Sequence, residues 1–578
     1  KKNLSFQIRQ KHKNPDAIKI LSLQVIHLVG NVALKHPVAK KYKLLIRMIC
    51  KIKPALPFII LLFSQISSPG LWAQNARIKI DIDRTIGEVT PFLYGNFVEH
   101  LGRCVYGGIY DPENKLSDKN GFRKDVMGAV KELKPTIIRY PGGNFVSNYN
   151  WLDGVGPKEQ RVPRLELAWG TLEPNLFGTN EFMKYVKEIG SEPYFSVNMG
   201  TGTIEEARRW VEYCNVKEGP YYAELRKKHG VAEPHNIKYW SLGNEMDGTW
   251  QMGHMSAEDY VKKAREAAKL MIRTSPDIKL IAAGSSNYRP GADPDHWNQT
   301  ILTELKDVID YIAIHMYVGN PDSNYYNFIS TPLILEQRTK MIKGLISQAM
   351  QTADRGKRDP VYIAWDEYNV WYRARRGVHA TGKNALEERY NLEDALVIAG
   401  FLNAFVRNAD VVKMANMAQL VNVIAPIFTN ESGMFKQTIF YPLQLFANNV
   451  SGTALDVFVD SKGYSTEKFN LGLSETTAQL SKVPYLDVSA TYKNGEVTLC
   501  VVNRNKDQSI TTDILSQNGS FVGGFKVFEV NGPDVKSGND FNKTEVKTEE
   551  KAGIKSTGNK ITYSFPPHSF TMLKGKIL

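Results

Sequence analysis

Residues 91–445 alternate between short apolar runs and longer amphipathic stretches. The apolar runs are rich in β-branched and aromatic residues, which indicates strands that are buried on both faces. The stretch 256–272 carries its apolar side chains along a helical stripe, and Ser256 with Asp259 resembles a capping box. Strands that alternate with helices predict a parallel sheet, and eight repeats over about 350 residues predict a (β/α)8 TIM barrel of the α/β class. The eight runs are residues 92–98, 136–140, 193–199, 237–242, 278–283, 311–316, 361–365 and 411–417.

After residue 445, polar and apolar positions alternate with a period of two, and turn-forming residues become frequent. Residues 485–493 and 496–503 flank Asn494-Gly495, which is a strong signature of a β-hairpin. We therefore expect a β-sandwich, similar to a jelly roll, over residues 446–578. The N-terminal segment 75–90 alternates in the same way, and we expect it to join this sandwich and leave the barrel to residues 91–445.

Residues 1–74 form a basic leader with 13 Lys and Arg and one acidic side chain. From Met48 onward the leader has the form of a secretory signal peptide, with a short basic stretch, an apolar run and then small residues. We expect this segment, residues 48–74, to direct export to the periplasm or the extracellular space, with Met48 as the initiator and cleavage after Ala73 or Gln74. An uncleaved N-terminal anchor is the alternative, but the apolar run is too short for a stable membrane span.

The net charge of +13 first suggests a polyanionic partner, but the leader holds almost all of it. Residues 75–578 carry 60 basic and 59 acidic side chains, so the folded part gives no electrostatic reason to expect nucleic acid. Once Cys50 is assigned to the leader, three widely spaced cysteines remain. They match neither a disulfide framework nor a zinc motif. We expect free buried thiols, no metal, no cofactor and no membrane span in the mature protein.

Two glutamates stand at the ends of predicted barrel strands. Glu245 follows the run 237–242, and Glu367 follows the run 361–365. Parallel barrels build their active sites at the carboxyl ends of their strands. A retaining glycosidase needs one carboxylic acid and one carboxylate about 5 Å apart. We therefore predict that Glu245 is the acid/base and Glu367 the nucleophile, because strands four and seven can bring both side chains to the barrel mouth.

The residues around this pair suit the same chemistry. Asn244 precedes Glu245 and can hydrogen-bond the sugar hydroxyl beside the reacting carbon. Arg139 lies near the end of the second run, and its guanidinium can keep Glu367 ionised. Glu245 must carry a proton at rest, and the negative charge of Glu367 helps to hold that proton. For any single glutamate at a strand end, a surface or salt-bridged carboxylate is the common alternative.

Six motifs occur in order along the chain. They are Gly95-Asn-Phe-Val-Glu-His-Leu-Gly-Arg103, Arg139-Tyr-Pro-Gly-Gly-Asn144, Asn150-Trp-Leu-Asp-Gly-Val-Gly-Pro157, Gly243-Asn-Glu245, Asp366-Glu-Tyr-Asn-Val-Trp371 and Ala418-Gln-Leu-Val-Asn-Val-Ile-Ala-Pro426. Together they resemble the motifs of the family 51 glycoside hydrolases, the α-L-arabinofuranosidases. The resemblance runs from about residue 76 to the C terminus and includes the sandwich. Any one motif is weak alone, whereas the ordered set is specific.

The resemblance implies a retaining exo-enzyme that removes terminal arabinofuranosyl units from arabinoxylan, arabinan or their oligosaccharides. It gives Glu245 the acid/base role and Glu367 the nucleophile role, and it implies a homo-oligomer, often a hexamer. One residue departs from the family, since Tyr368 follows the nucleophile where the family usually has Trp. The aromatic ring is kept, so we expect catalysis to survive, while local packing and leaving-group preference stay open.

Further site residues follow from matching positions. The resemblance implies that five of them bind the sugar hydroxyls in the −1 pocket and that two tryptophans form the pocket rim. The hydroxyl-binding residues are Glu99, Asn144, Asn244, Tyr317 and Gln419, and the rim residues are Trp169 and Trp371. The structural alternatives are a salt bridge for Glu99, a turn for Asn144, a strand cap for Gln419 and core packing for the aromatic residues. We interpret His315 as a hydrogen-bonded barrel histidine rather than a metal ligand.

Two other functions stay open. A different retaining glycosidase on the same barrel, such as a β-xylosidase or an endoglucanase, would use the same carboxylate pair. A non-catalytic carbohydrate-binding protein with a decayed barrel would not need that pair, and the intact Glu245 and Glu367 speak against this class.

Overall fold

The computed structural model describes residues 74–372, 379–472 and 476–578. The predicted leader and its signal peptide lie outside these residues, except for Gln74. Two strands precede the barrel, β1 Gln74–Ile80 and β2 Thr85–Val89. Among the described residues, no helix is both long enough and apolar enough to cross a membrane.

Eight parallel strands form a closed barrel, as the sequence predicts. The strands from residue 95 to residue 436 are β3 Gly95–Phe97, β4 Ile137–Tyr140, β5 Arg164–Glu166, β6 Thr171–Glu173, β7 Glu192–Ser196, β8 Tyr239–Leu242, β9 Lys279–Ala283, β10 Tyr311–Val318, β11 Tyr362–Val370, β12 Val412–Ala418, β13 Ile427–Thr429 and β14 Met434–Lys436. The barrel strands β3, β4 and β7 to β12 pair in chain order, and β12 closes the barrel against β3. The short strands β5 and β6 form a separate hairpin after β4.

Amphipathic helices separate the barrel strands, as the alternating pattern predicts. Their bounds are α1 Lys124–Leu133, α2 Thr179–Ile189, α3 Ile204–Asn215, α4 Tyr221–Lys228, α5 Ala257–Thr274, α6 Pro294–Leu305, α7 Tyr325–Ile329, α8 Pro332–Met350, α9 Leu392–Arg407 and α10 Phe440–Asn449. Ser256 caps α5, because its hydroxyl accepts a hydrogen bond of 3.2 Å from the backbone N–H of Asp259. The apolar stripe of α5 is buried, which fixes the helix against the barrel.

Two barrel strands differ most in length from the apolar runs that predicted them. The run 92–98 begins as a short 3-10 helix, Pro91–Tyr94, because Pro91 starts a helical turn that the Thr90 hydroxyl caps. The strand β3 is therefore only three residues long. In contrast, β11 continues to Val370. Glu367 thus lies within this strand rather than after it.

Two sheets of the C-terminal part carry the sandwich. The strands of this part of the chain are β15 Gly452–Leu455, β16 Phe458–Asp460, β17 Gly463–Tyr464, β18 Phe469–Asn470, β19 Thr477–Ala478, β20 Val483–Pro484, β21 Leu486–Lys493, β22 Glu496–Asn503, β23 Ile510–Ser516, β24 Phe521–Asn531, β25 Lys547–Gly558, β26 Lys560–Phe565 and β27 Ser569–Ile577. The short strands β17 and β20 pair separately, as do β18 and β19. One sheet has the order β16-β1-β23-β26, and the other has the order β2-β15-β21-β22-β27-β24-β25. The segment 75–90 thus supplies a strand to each sheet, and the boundary at 445 falls inside α10.

The hairpin signature at Asn494-Gly495 gives the expected structure. β21 and β22 pair antiparallel up to Lys493 and Glu496. Asn494 and Gly495 both have positive φ angles, 51° and 80°. A two-residue turn of this kind favours Asn followed by Gly because both positions need left-handed backbone angles.

The barrel and the sandwich share a buried polar junction. Asp487 on β21 accepts hydrogen bonds from Arg407 of α9 at 2.5 Å and from Arg504 at 2.6 Å. Asn403 of α9 also binds the backbone carbonyl of Asp487 at 3.2 Å. The packed junction holds α9, and α9 in turn packs behind β11, which carries Glu367.

Candidate active site

A pocket of about 280 Å³ opens at the carboxyl ends of the barrel strands. This volume is close to the lower end of the range for small-ligand sites. Nine of the eleven residues that the sequence predicts for the site line it. They are Glu99, Asn144, Trp169, Glu245, His315, Tyr317, Glu367, Trp371 and Gln419. The other two, Arg139 and Asn244, are buried behind the pocket wall, with exposures of 0% and 1%.

Glu245 and Glu367 meet in this pocket although 122 positions separate them in the chain. A carboxylate oxygen of each residue and a ring nitrogen of His315 all lie within 4.8 Å of one another. The Nδ1 atom of His315 is 3.0 Å from Oε1 of Glu245 and 3.6 Å from Oε2 of Glu367. This short separation leaves room for an anomeric carbon between the carboxylates but is shorter than the spacing of inverting enzymes.

An irregularity in β11 explains why Glu367 and its neighbour Asp366 both face the barrel interior. Pairing of β11 with β12 shifts register between Trp365 and Tyr368. A bulge of this kind redirects side chains and often lies next to an active site. Trp365 and Tyr368 accordingly face outward, where the Trp365 indole bonds Thr339 of α8.

Arg139, which is buried behind the pocket wall, binds Glu367, the nucleophile candidate. Its Nη1 donates to Oε1 of Glu367 at 2.5 Å, and its Nη2 donates to Oδ1 of Asn244 at 2.7 Å. Its Nε lies 3.3 Å from Oδ2 of Asp366. Burial lowers the pKa of Arg139, but the carboxylates of Asp366 and Glu367 raise this pKa by more, so the guanidinium stays charged. The guanidinium therefore places a fixed positive charge beside Glu367.

His315 is hydrogen-bonded on both ring nitrogens, as the sequence interpretation expects. Its Nε2 lies 3.0 Å from Oδ1 of Asp366, and its Nδ1 contacts Glu245. Burial lowers the pKa of His315, but the charges of Glu367 and Asp366 outweigh burial and raise this pKa well above its ordinary value. In the protonated state His315 donates to both carboxylates and can stabilise a negative charge on Glu245.

The set Glu245, His315 and Glu367 has the spacing of a metal site, which the sequence does not reveal. Each of the three side chains also has a protein partner. Tyr317 donates to Oε2 of Glu367 at 2.8 Å, and the Trp250 indole donates to Oε2 of Glu245 at 2.5 Å. Glycoside hydrolysis by a carboxylate pair needs no metal. The geometry therefore fits the predicted proton transfer and nucleophilic attack without a metal.

The loop after β8 presents Glu245 in an uncommon backbone conformation. Glu245 has a φ of 46°, in the left-handed region that costs a non-glycine residue about 1 kcal/mol. Two residues later, Asp247 accepts hydrogen bonds of 2.8 Å from the backbone N–H groups of Ser286 and Asn287. These contacts tie the loop to the end of β9 and hold Glu245 in the pocket.

Glu99 forms a third carboxylate site beside the nucleophile candidate. Its oxygens accept from the Phe145 backbone N–H at 3.0 Å, the Trp169 indole at 3.1 Å and the Gln419 amide at 2.8 Å. Burial raises the pKa of Glu99 to about 8, with a further contribution from the charge on Glu367. Gly143 makes room for this arrangement, because a Cβ there would lie 3.1 Å from Glu99 and 3.3 Å from Glu367.

The remaining predicted residues surround these carboxylates. Asn144 follows β4 and accepts a 3.4 Å hydrogen bond from the Asn244 amide, which also donates to Gln251 at 3.2 Å. Trp169 lies at the tip of the β5–β6 hairpin, and Trp371 follows β11 with its ring 5.2 Å from the Tyr317 ring. The sugar contacts expected for these residues stay predictions.

Tyr368, the departure from the family pattern, does not line the pocket. Its ring packs edge-on against Phe405 at 4.9 Å and Phe401 at 6.0 Å, both on α9. Its hydroxyl is buried and has no hydrogen-bond partner among the described residues. Among the described residues, its ring contacts therefore lie in the packing behind β11 rather than in the pocket.

The sequence does not predict several residues that line or support the pocket. Trp250 binds Glu245, and Asp366 orients His315, yet neither has a pattern that marks it, since strict strand alternation places Asp366 opposite to Glu367. Arg289 and Arg338 also line the pocket. Arg338 reaches it from α8, which carries no local signal of a site.

A closed parallel barrel with two glutamates this close at its mouth is the site of a retaining glycoside hydrolase. The domain family described as "Alpha-L-arabinofuranosidase 1 domain" matches residues 129–331, and the "Alpha-L-arabinofuranosidase C-terminal domain" matches residues 366–569. The protein belongs to glycoside hydrolase family 51, the α-L-arabinofuranosidases.

Similar proteins extend over most of this chain. "Probable alpha-L-arabinofuranosidase C" of Aspergillus clavatus is 42% identical and covers 87% of this chain and 98% of its own. "Intracellular exo-alpha-(1->5)-L-arabinofuranosidase 1" of Bacillus subtilis is 39% identical, and the match covers 87% of this chain and 99% of that protein. The crystal structure of the Thermotoga maritima α-L-arabinofuranosidase in complex with arabinose has a TM-score of 0.79, is 38% identical and covers 87% of this chain and 100% of that chain.

Proposed function

We propose that the protein is a retaining, exo-acting α-L-arabinofuranosidase. The observation that carries this proposal is the separation of less than 4.8 Å between carboxylate oxygens of Glu245 and Glu367 in a family 51 barrel. The substrates are arabinoxylan, arabinan and their oligosaccharides, from which the enzyme removes terminal non-reducing arabinofuranosyl residues. The names of the Bacillus subtilis relative and of the arabinose complex support this substrate class.

The reaction has two displacement steps. A carboxylate oxygen of Glu367 attacks the anomeric carbon while the carboxylic acid of Glu245 gives its proton to the leaving oxygen. The bond to the leaving group breaks, and an arabinosyl ester forms on Glu367. The Glu245 carboxylate then takes a proton from water, the water oxygen attacks the anomeric carbon, and Glu367 is released. Both attacks invert the carbon, so the starting configuration returns.

The surrounding residues supply charge and orientation at each step. Arg139 keeps Glu367 ionised before attack, and Tyr317 orients its second oxygen. A protonated His315 stabilises the Glu245 carboxylate that the first step leaves behind. Glu99, Asn144, Asn244, Tyr317 and Gln419 bind the sugar hydroxyls, and Trp169 and Trp371 form the rim of the pocket.

A panel of aryl glycosides tests this function. We expect hydrolysis of 4-nitrophenyl α-L-arabinofuranoside, with no turnover by the Glu367→Ala variant. Activity on an aryl β-xyloside or cellulose, without activity on the arabinofuranoside, would favour a different retaining glycosidase. Binding of arabino-oligosaccharides without turnover of any activated glycoside would favour a non-catalytic binding protein.

Location and assembly are further parts of the proposal. The basic and apolar segments from Met48 to Gln74 support export to the periplasm or the extracellular space. N-terminal sequencing of the exported protein tests this, and a mature N terminus well before Ile66 would refute it. Family resemblance supports a homo-oligomer, often a hexamer, and light scattering of the mature protein would measure its mass.

A further inference from the structure

Arg338 is a buried cation that the proposed mechanism does not use. It lies on α8, is 9% exposed and lines the active-site pocket. Its guanidinium stacks 3.5 Å from the centre of the Tyr288 ring. Among the described residues it has no hydrogen-bond or ion-pair partner. A buried guanidinium without such a partner is costly, because the stacking on Tyr288 does not replace the hydrogen bonds that its N–H groups made with water.

The guanidinium groups of other buried arginines have hydrogen-bond partners, which are carboxylates for Arg139 and Arg504 and backbone carbonyls for Arg226. Arg139 binds Glu367, and Arg504 binds Asp487 at 2.6 Å. Arg338 differs from them in facing an open pocket. Burial lowers the pKa of Arg338. A guanidinium nevertheless keeps its charge in proteins, so the pocket wall carries a positive charge that an incoming group can neutralise.

Contacts in the pocket wall locate this charge on the side of the acid/base residue. The Trp250 indole binds Glu245, and the Arg289 guanidinium lies 4.6 Å from the centre of the Trp250 ring. Tyr288, on whose ring the Arg338 guanidinium stacks, directly precedes Arg289 in the chain. The acid/base residue protonates the departing oxygen, so this wall faces the leaving group rather than the arabinosyl ring.

The loop carboxylate of Asp247 forms no ion pair with this wall among the described residues. Asp247 binds Ser286 and Asn287, including two backbone N–H groups, and makes no ion pair with either arginine in the described part of the chain. A planar guanidinium matches a carboxylate with two parallel hydrogen bonds. A carboxylate on a bound substrate would therefore have the right geometry to pair with Arg338.

We propose that Arg338, with Arg289 beside it, forms a subsite for a carboxylate on the leaving group. The preferred substrates are then arabinofuranosides whose aglycone bears a carboxylate, such as a sugar chain with a hexuronic acid. This inference rests on the proposed arabinofuranosidase function. It adds a charge preference in the leaving-group part of the pocket.

Two synthetic substrates test the preference. They are the 4-(carboxymethyl)phenyl and 4-(carbamoylmethyl)phenyl α-L-arabinofuranosides, in which a methylene group insulates the phenolic oxygen from the charge. At pH 7 we expect the wild-type kcat/KM to be at least about 10-fold higher for the acid than for the amide, the effect of one charge-assisted hydrogen bond. An acid-to-amide ratio of one or less would overturn the inference.

Variants locate the effect at Arg338. In Arg338→Met the ratio should fall to about one, and Arg338→Lys should keep part of it. Lys340→Met removes a charge from the exposed side of the same helix, where the Lys340 side chain is 65% exposed, and should keep the wild-type ratio. If Arg338→Met keeps the wild-type acid-to-amide ratio of kcat/KM, the preference does not come from Arg338, and the inference is overturned.

A binding measurement needs no variant. For the wild type, 4-hydroxyphenylacetate should inhibit hydrolysis of 4-nitrophenyl α-L-arabinofuranoside at least about 10-fold more strongly than 4-hydroxyphenylacetamide. Equal inhibition would contradict the carboxylate subsite while the arabinofuranosidase function stands. Failure to hydrolyse the nitrophenyl substrate at all would instead reject the proposed function.

Discussion

Arg139 and Glu367 form a buried 2.5 Å ion pair between strands that are not neighbours in the barrel. The same guanidinium reaches Asn244 and Asp366, so one side chain connects β4, β11 and the loop that carries Glu245. The pair fixes the position of Glu367, the proposed nucleophile, and places a positive charge beside it.

Arg139→Met should therefore damage catalysis and folding together. Without the guanidinium, two buried carboxylates lose their countercharge, which typically costs about 3–5 kcal/mol of unfolding free energy. Misplacement of Glu367 should lower kcat by about 100-fold or more. Urea denaturation and aryl-arabinofuranoside kinetics measure both effects. Arg139→Lys is the matched control that keeps the charge without the planar fork, and an unchanged kcat in Arg139→Met would contradict the role.

Glu245→Ala should harm substrates unequally. An alkyl or sugar leaving group needs a proton, so its kcat/KM should fall by about 10²–10⁴-fold. A 2,4-dinitrophenyl leaving group departs without that proton, so its first step should change little. A series of aryl arabinofuranosides of graded acidity measures this difference. Added azide should accelerate the variant and give the α-arabinosyl azide, whereas equal losses across the series would argue against Glu245 as the acid.

Glu99→Gln should change the pH dependence of stability. The pKa of Glu99 is raised to about 8 in the folded protein, from an ordinary value of 4.5. A raised pKa contributes stability that is fully present below pH 4.5 and is lost as the pH rises towards 8. Between these pH values the Glu99 side chain is ionised in the unfolded chain but protonated in the folded protein, so rising pH favours unfolding. The unfolding free energy of the variant, relative to wild type, should therefore rise between pH 5 and pH 8.

Urea denaturation at pH 5, 6.5 and 8 measures this trend for Glu99. Glu113→Gln removes an exposed carboxylate and serves as the control for the lost negative charge. If the difference between Glu99→Gln and wild type stays constant over this range, Glu99 is ionised in the folded protein throughout.

Tyr368→Phe should leave the chemistry intact and stabilise the fold slightly. The Tyr368 hydroxyl is buried without a partner among the described residues, so its removal should raise the unfolding free energy by about 1 kcal/mol. The ring contacts with Phe401 and Phe405 remain. Thermal unfolding and the relative kcat/KM for two leaving groups check this expectation, and a changed leaving-group preference would show that Tyr368 acts on the pocket.

The barrel and the meeting of Glu245 and Glu367 at its mouth could be predicted because the sequence carries both signals locally. Buried parallel strands need apolar runs, and strand ends of such a barrel face one pocket. Glu245 and Glu367 each combine an apolar run with an acidic side chain at or near its end. Run 92–98 shows the limit, because its apolar residues also fit the helical turn that Pro91 starts.

The rest of the site depends on contacts between distant elements. Asp366 faces inward only because β11 bulges, and a bulge leaves no trace in an alternating pattern. Trp250 and Arg338 reach the pocket from a loop and a helix whose sequences look like ordinary surface or core segments. Their roles become visible only once burial and missing partners are known.

Proton NMR of the first-formed product tests the central claim most directly. With an α-L-arabinofuranoside as substrate and methanol as competing acceptor, two displacements at carboxylates within 4.8 Å should give methyl α-L-arabinofuranoside, with the starting configuration. The β anomer as first product would mean a single displacement by solvent, and it would contradict the assignment of Glu367 as nucleophile.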